Sequence, residues 1–320
     1  MPITTPVLIE LLKGLERDQL VSADSRIVLV DDGSRDGTWQ QIERARAAHP
    51  VICGLKLARN AGHQKALLAG LMYAKEHADC IVSLDADLQD DTGAIREFVR
   101  KFHEGYEVVY GVRNSRATDT WFKRWSAESF YKVMRKMGIP LVYNHADYRL
   151  MSRRAVEHLS EFHEVNLFLR GIVPLIGFRS TTVAYDRMER VAGESKYPLR
   201  KMLSFAWDGI TSFSIKPMRF VTMLGFISLG ASIIAGGYTL ISKLTGHTVS
   251  GWASLMFSLW FIGSIQLLAL GVIGEYIGKI YNEVKRRPPY IVETVLSDAY
   301  VAQNEAQPSW PGAQRAEVNR

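Results

Sequence analysis

Apolar positions in the first two-thirds of the chain come in short runs separated by amphipathic stretches. Runs rich in Val, Ile and Leu at 26–30, 53–57, 80–84 and 107–112 read as buried strands. Between them, apolar residues recur at helical spacing over 38–48, 64–76 and 92–103. This alternation predicts an α/β fold, Rossmann-like, with a mostly parallel sheet, right-handed crossovers and ligands beyond the carboxyl ends of the strands. Thr5 and Pro6 supply a cap and a first helical residue for a helix over 7–15, so the chain opens on a helix with no strand ahead of it.

The pattern changes near Lys216-Pro217. No charged residue occurs from Phe220 to Ser242 or from Thr248 to Gly274, and each stretch exceeds the roughly 20 residues that cross a bilayer. Transmembrane helices are therefore expected over 219–242 and 249–276, joined as a hairpin. Ahead of them, over 196–218, Leu199, Met202, Leu203, Phe205, Trp207, Ile210 and Phe213 recur at helical spacing with Lys196, Arg200, Lys201 and Asp208 on the polar side. Such a segment reads as a juxtamembrane amphipathic helix lying in the interface. The domain plan is then a soluble domain over 1–195, the interfacial segment, two spans, and a tail over 277–320 without order after about residue 293, where composition turns to Ala, Gln, Pro and Glu.

Charge orients this plan. Lys216 and Arg219 precede the first span, Lys279, Lys285, Arg286 and Arg287 follow the second, and the connection carries only Lys243 and His247. The positive-inside rule then puts both termini and the soluble domain on the cytoplasmic side of the inner membrane, with the connection outside. Met1 to Pro6 has no basic segment ahead of an apolar one, so no cleaved signal is expected. The formal net charge of +6 is modest and partly accounted for by these anchors, which gives no reason to expect nucleic acid. Cys53 and Cys80 lie in apolar strand contexts and read as core residues.

Polar residues cluster after three of the strand runs: Asp31-Asp32-Gly33-Ser34, Arg59-Asn60-Ala61-Gly62-His63, and Asp85-Ala86-Asp87 followed by Gln89, Asp90 and Asp91. Two aspartates one residue apart at the end of an apolar strand need a cation or hydrogen-bond donors. Magnesium or manganese suits them, since oxygen ligands leave sites for phosphate oxygens. The carboxylates at Asp31 and Asp32 can accept from a base N–H or a ribose hydroxyl; the plainer reading of that run is a strand, a turn and the helix capped by Thr38.

The order Asp-Asp-Gly-Ser-X-Asp-Gly-Thr, Arg-Asn-X-Gly-X-X-X-Ala and Asp-Ala-Asp-Leu-Gln-Asp, with segments at 147–153, 166–172, 190–197, 274–278 and 287–290, resembles the family 2 glycosyltransferases of GT-A fold, in their polyprenyl-phosphate group. Bactoprenol glucosyltransferases are the nearer likeness and dolichol-phosphate mannosyltransferases the more distant one. The resemblance implies transfer of a hexose, glucose from UDP-glucose, to undecaprenyl phosphate with inversion, for cell-surface glycans such as O-antigen. It implies that Asp32 holds the nucleotide base, that Asp85 and Asp87 hold the diphosphate and its metal with Gln89 completing the shell, and that Asp147 lies near the acceptor. This chain has Ala146 and Tyr148 where the family motif commonly carries glycine and phenylalanine. Arg113, Arg124, Arg149, Arg190 and Lys196 are the cations available for phosphate groups. Asp147 is expected to orient or balance charge, with a base role the alternative. Two apolar spans also leave surface for a homo-oligomer.

The family's opening strand, which lies centrally in its sheet, has no counterpart here. Its absence predicts two open strand edges inside the core. Either the start codon lies too far downstream or the chain is a damaged copy serving as a membrane scaffold; a third alternative keeps the enzyme and changes the donor to GDP-mannose.

Overall fold

The computed structural model describes residues 4–114, 145–164, 168–186, 211, 216–246 and 251–297. It opens on helix α1 (Thr4–Arg17), then alternates β1 (Ile27–Asp31), α2 (Thr38–Ala48), β2 (Ile52–Leu57), α3 (His63–Ala74), β3 (Cys80–Ser83), α4 (Ala94–His103) and β4 (Val108–Arg113). These are the elements that the period of the sequence predicts, within a few residues. Beyond β4 come β5 (His145–Ser152), α5 (Arg153–Leu159), α6 (Leu169–Ile172) with a 3₁₀ turn at Val173–Ile176, and β6 (Ser180–Tyr185). The long apolar helices are α7 (Lys216–Leu244) and α8 (Trp252–Val284), and β7 (Val292–Leu296) follows them. Nearly all of the interfacial segment over 196–218 lies outside the described residues.

The sheets are mixed rather than mostly parallel. One has the order β1-β2-β7 and the other β3-β5-β4-β6. β1 and β2 run parallel, as do β4 and β6, while β5 enters antiparallel between β3 and β4, and β7 pairs antiparallel with β2.

β7 corrects the expectation of a tail without order after residue 293. Leu55 pairs with Val295 and Gly54 with Leu296, and Lys56 Nζ meets Glu293 Oε1 at 3.1 Å. Leu296 packs beside Trp39 and Ile42 in the core under β1 and β2, and Val295 joins Leu55 and Leu57 on the other face. The physical reason is an edge: β2 would otherwise offer unpaired backbone groups, and a five-residue segment with apolar ends satisfies them. Tyr290, just before β7, packs against two core clusters, so the exit of α8 is stapled to the soluble domain within a few residues.

Between β1 and β3 the sheet is split. β1 ends one sheet and β3 ends the other, yet the same two helices cover both. Ala66 and Ala69 of α3 pack with Val28 and Val30, while Leu68 and Leu71 pack with Ile81. On the opposite face, Ile9 of α1 meets Leu29, and Leu11 and Leu15 lie with Val82 and Leu84. Among the described residues no strand pairs with the free edge of β1 or of β3, and α1 on one face and α3 on the other pack against both strands. The buried carboxyl of Asp31 stands at the end of this seam, and its Oδ2 has no hydrogen-bond partner among the described residues.

α7 and α8 are 29 and 33 residues long, or roughly 45 to 50 Å at 1.5 Å per residue. Each exceeds the hydrocarbon thickness of about 30 Å. Their large side chains, among them Phe226, Ile234, Leu259 and Leu267, are exposed, and a helix apolar on all sides belongs in a bilayer. α7 runs beyond its expected span at both ends, and α8 starts just inside its own and continues past residue 276 through Lys279 and Glu283 to Val284. Cys53 is buried and Cys80 half-buried, and neither is in a disulfide among the described residues.

Candidate active site

The carboxyl ends of β1, β2 and β3 meet, as the strand-helix order requires. Asp32, following β1, accepts from the backbone N–H of Ala61 at 2.7 Å and of Gly62 at 3.0 Å, which clasps the loop after β2. Gly33 makes this approach feasible: its φ is +66°, and a Cβ there would stand 2.5 Å from the carbonyl carbon of Arg59. Asp31 Oδ1 accepts from Ser34 N at 3.0 Å, so the turn is held by its own carboxylate.

Asp85 and Asp87 lie on the loop after β3, where Leu88 adopts a left-handed φ of 51°, a conformation unusual for a residue with a branched side chain. Two contacts fix the loop: Thr4 Oγ1, at the start of α1, donates to Ala86 O at 2.9 Å, and Asp87 Oδ1 accepts from Gln89 N at 3.2 Å. Burial pushes the Asp85 carboxyl above its ordinary value, His63 opposes that, and the charges of Asp147, Asp90 and Asp87 add to it. A carboxylate so placed gains from a cation. Among the described residues no three His, Cys, Asp or Glu side chains converge on one metal position. Two carboxylates with oxygen donors alone still fit a hard divalent cation, because such ions are commonly held by one or two carboxylates plus substrate phosphates.

Behind this loop, Asp90 is 2 % exposed and receives the Tyr185 hydroxyl and Arg113 Nη2, the latter at 3.3 Å. Arg113 Nε also donates to Tyr185 Oη at 3.2 Å. The expected phosphate cation Arg113, at the end of β4, is thereby tied to the Asp85-Asp87 loop.

Asp147 is the hub of the other side. It is 5 % exposed and accepts from Arg149 Nη2 at 2.6 Å, Arg170 Nη2 at 3.0 Å and Gln64 Nε2 at 3.1 Å, with His63 Nε2 at 3.3 Å. Burial alone would push its carboxyl up; the hydrogen bond from His63 and the charges of Arg170 and Arg149 outweigh that and hold it well below the usual carboxylate range. In turn His63 is raised, first by its bond to Asp147 and against the cost of burial. His63 Nε2 also lies 3.9 Å from Asp85 Oδ1, so one imidazole links the two groups of carboxylates.

Arg149 is not where a phosphate cation would have to be. Its side chain is 1 % exposed, with Nη2 on Asp147, Nη1 on Leu169 O at 3.4 Å and Nε without an acceptor among the described residues. It is an internal counter-ion, placed inward because alternate residues of β5 share a face with Asp147. Arg124, Arg190 and Lys196 lie outside the described residues. His63, Gln64, Tyr185 and Arg170 have no site role assignable from sequence pattern alone. Arg170 had a signal, an arginine alone among Phe168, Leu169, Gly171, Ile172 and Val173.

These strand-end carboxylates, and the apolar hairpin joined to the domain that carries them, define a membrane-associated transferase, and comparison with known proteins gives its family. The chain belongs to glycosyl transferase family 2: residues 6–160 match Glycosyl transferase family 2, and residues 216–280 match the GtrB C-terminal hairpin. It is 57 % identical over 293 residues to an uncharacterised glycosyltransferase, YkoT, of Bacillus subtilis, covering 92 % of this chain and 87 % of the relative. It is 40 % identical over 280 residues to the SfII prophage-derived bactoprenol glucosyl transferase of Shigella flexneri, covering 87 % and 90 %. With the prophage bactoprenol glucosyl transferase homolog of Escherichia coli it shares 39 % over 282 residues, covering 88 % and 92 %.

Proposed function

We propose that this transferase moves glucose from UDP-glucose to undecaprenyl phosphate at the cytoplasmic face of the membrane, with inversion at the anomeric carbon. The observation that carries this reading is the juxtaposition of two unlike half-sites. An oxygen-only carboxylate pair, Asp85 and Asp87, lies one imidazole away from the guanidinium-bound Asp147, on a domain stapled to an apolar hairpin by β7. The relatives named as bactoprenol glucosyl transferases support the lipid and the sugar.

Asp85 and Asp87, with Gln89, would hold Mg²⁺ or Mn²⁺, which when bound neutralises charge on the diphosphate and on the departing nucleoside diphosphate. Asp32 keeps the two loops together beside the nucleotide. Arg113 lies near enough to the Asp85-Asp87 loop to serve phosphate oxygens. The nucleophile needs no strong base, because a phosphate monoester with a second pKa of about 6 is largely ionised at neutral pH. Asp147, held well below the usual carboxylate range, is a poor proton acceptor there and keeps the orienting role.

The test is transfer of labelled glucose from UDP-glucose in membranes containing the full chain, with and without added undecaprenyl phosphate, and with GDP-mannose in parallel. A glucosylated lipid that depends on the added phosphate is expected. Labelling from GDP-mannose alone would overturn the donor, and absence of any lipid product from a protein that still binds UDP would support the scaffold reading that the open β1 and β3 edges favour.

A further inference from the structure

Asp147 and Arg149 share one face of β5, and Tyr148 between them takes the other. There its ring packs against Phe98 of α4, with centroids 4.7 Å apart, and edge-on against Tyr185 of β6 at 5.1 Å and 87°. Tyr148 is 1 % exposed, yet its hydroxyl reaches the rim of the core and donates to Asp91 O at 2.8 Å. Asp91 belongs to the segment after β3 that carries Asp85 and Asp87. One strand therefore supports the Asp147 hub on one face and touches the carboxylate loop from the other.

Room for this arrangement comes from the neighbouring strand. A Cβ on Gly111 of β4 would stand 2.8 Å from Tyr148 Cδ1 and 3.0 Å from Tyr185 Cε1, so both rings lie against a position where only glycine fits. The ring alone would suit phenylalanine, which the family motif commonly carries here; the hydroxyl is what this chain adds.

The loop needs a hold. Leu88 has a left-handed φ of 51°, and a residue with a branched side chain stays there only where its surroundings fix it. Side chains from three elements do so: Thr4 of α1 on Ala86 O, Tyr185 of β6 on the Asp90 carboxylate and Tyr148 of β5 on Asp91 O. Asp91 O also accepts from Ala94 N at 3.2 Å, so that carbonyl keeps a partner without Tyr148. What the hydroxyl contributes is the place of the loop.

We infer that the Tyr148 hydroxyl is a positioning group for the Asp85-Asp87 loop, holding its carboxylates where they grip a divalent cation and a diphosphate. This rests on the metal-site reading proposed above. An ordinary buried hydrogen bond is comparable in size with the cost of one left-handed residue. Without it the loop spends part of its time in other conformations, and apparent affinity falls with the competent fraction.

The test compares wild type, Tyr148→Phe and Val109→Ala as full chains in detergent. Val109→Ala trims the same core cluster and leaves the hydroxyl in place. Calorimetry measures UDP binding with Mn²⁺, thermal unfolding gives the midpoint without ligand, and hydrogen exchange is read on peptides covering 85–93. Tyr148→Phe should bind UDP with Mn²⁺ about three- to tenfold more weakly, lose no more than a few degrees of midpoint, and exchange faster over 85–93. Val109→Ala should lose more of the midpoint and keep wild-type affinity. Equal affinity of Tyr148→Phe and wild type would overturn the inference. So would an affinity loss in Val109→Ala as large as that in Tyr148→Phe, which would reduce Tyr148 to core stability. Should wild type fail to bind UDP with Mn²⁺, the metal-site reading falls; faster exchange over 85–93 in Tyr148→Phe would then still establish the strut, and unchanged exchange would remove it.

Discussion

Replacing Asp147 by Asn keeps the shape of the side chain and removes the charge that two arginines share. Arg149 would then be a buried cation with only Leu169 O at 3.4 Å and a neutral amide for company, and its Nε has no acceptor among the described residues even now. Removing one partner of a buried pair costs about 3–5 kcal/mol, far more than the pair itself contributes relative to apolar residues of the same size. For a domain of about 200 residues this lowers the unfolding midpoint by roughly 6–20 °C. The double variant Asp147→Asn, Arg149→Met removes the orphaned charge and should recover most of the loss, a coupling of about 2 kcal/mol or more. The assay is thermal unfolding of the full chain in detergent, followed by circular dichroism, for wild type, both single variants and the double variant. Linkage adds a second check. Because the folded carboxyl is held low, its contribution is fully present above the unfolded value of about 3.9 and is lost as pH falls below it. The gap between wild type and Asp147→Asn should therefore be full at pH 7 and shrink below pH 4. Additive single effects, or a gap that grows on acidification, would refute the hub.

Three shorter predictions follow from other parts of the molecule. His63 is raised by Asp147, so its contribution is fully present below the unfolded value of about 6.5 and lost as pH rises through the folded one; His63→Gln should flatten the fall in midpoint between pH 6 and pH 9, and an unchanged slope would exclude the link. Leu296→Ala trims a side chain whose Cδ1 lies 3.2 Å from where a Cβ on Gly54 would be, and should cost about 1–3 kcal/mol; a smaller change in urea unfolding would mean that β7 contributes little. Asp85→Asn and Asp87→Asn should each abolish the rise in midpoint that UDP with Mn²⁺ gives wild type, while leaving the midpoint without ligand within a few degrees, as expected for half-exposed or exposed carboxylates. Stabilisation retained in both variants would remove these aspartates from the metal site.

β1 to β4, the helices between them and the two long apolar helices were legible in the sequence, because each is written in a local period, of two or 3.6 residues or of unbroken apolarity. The strand-end carboxylates were legible for the same reason: knowing where β1 and β3 stop fixes where Asp32, Asp85 and Asp87 stand. What the tertiary structure decided are the pairings between distant segments. β5 carries Asp147 and Arg149 in mid-strand, a pair of charges for which no local period predicts burial, and Arg170, 23 residues on, makes that burial tolerable. β7 lies in a stretch whose composition suggests no order, and it becomes a strand because β2, 237 residues earlier at the Lys56–Glu293 contact, offers an edge that must be satisfied. Local pattern reports what one segment can do by itself; burial of a charge and pairing of an edge depend on a partner that the same segment cannot specify.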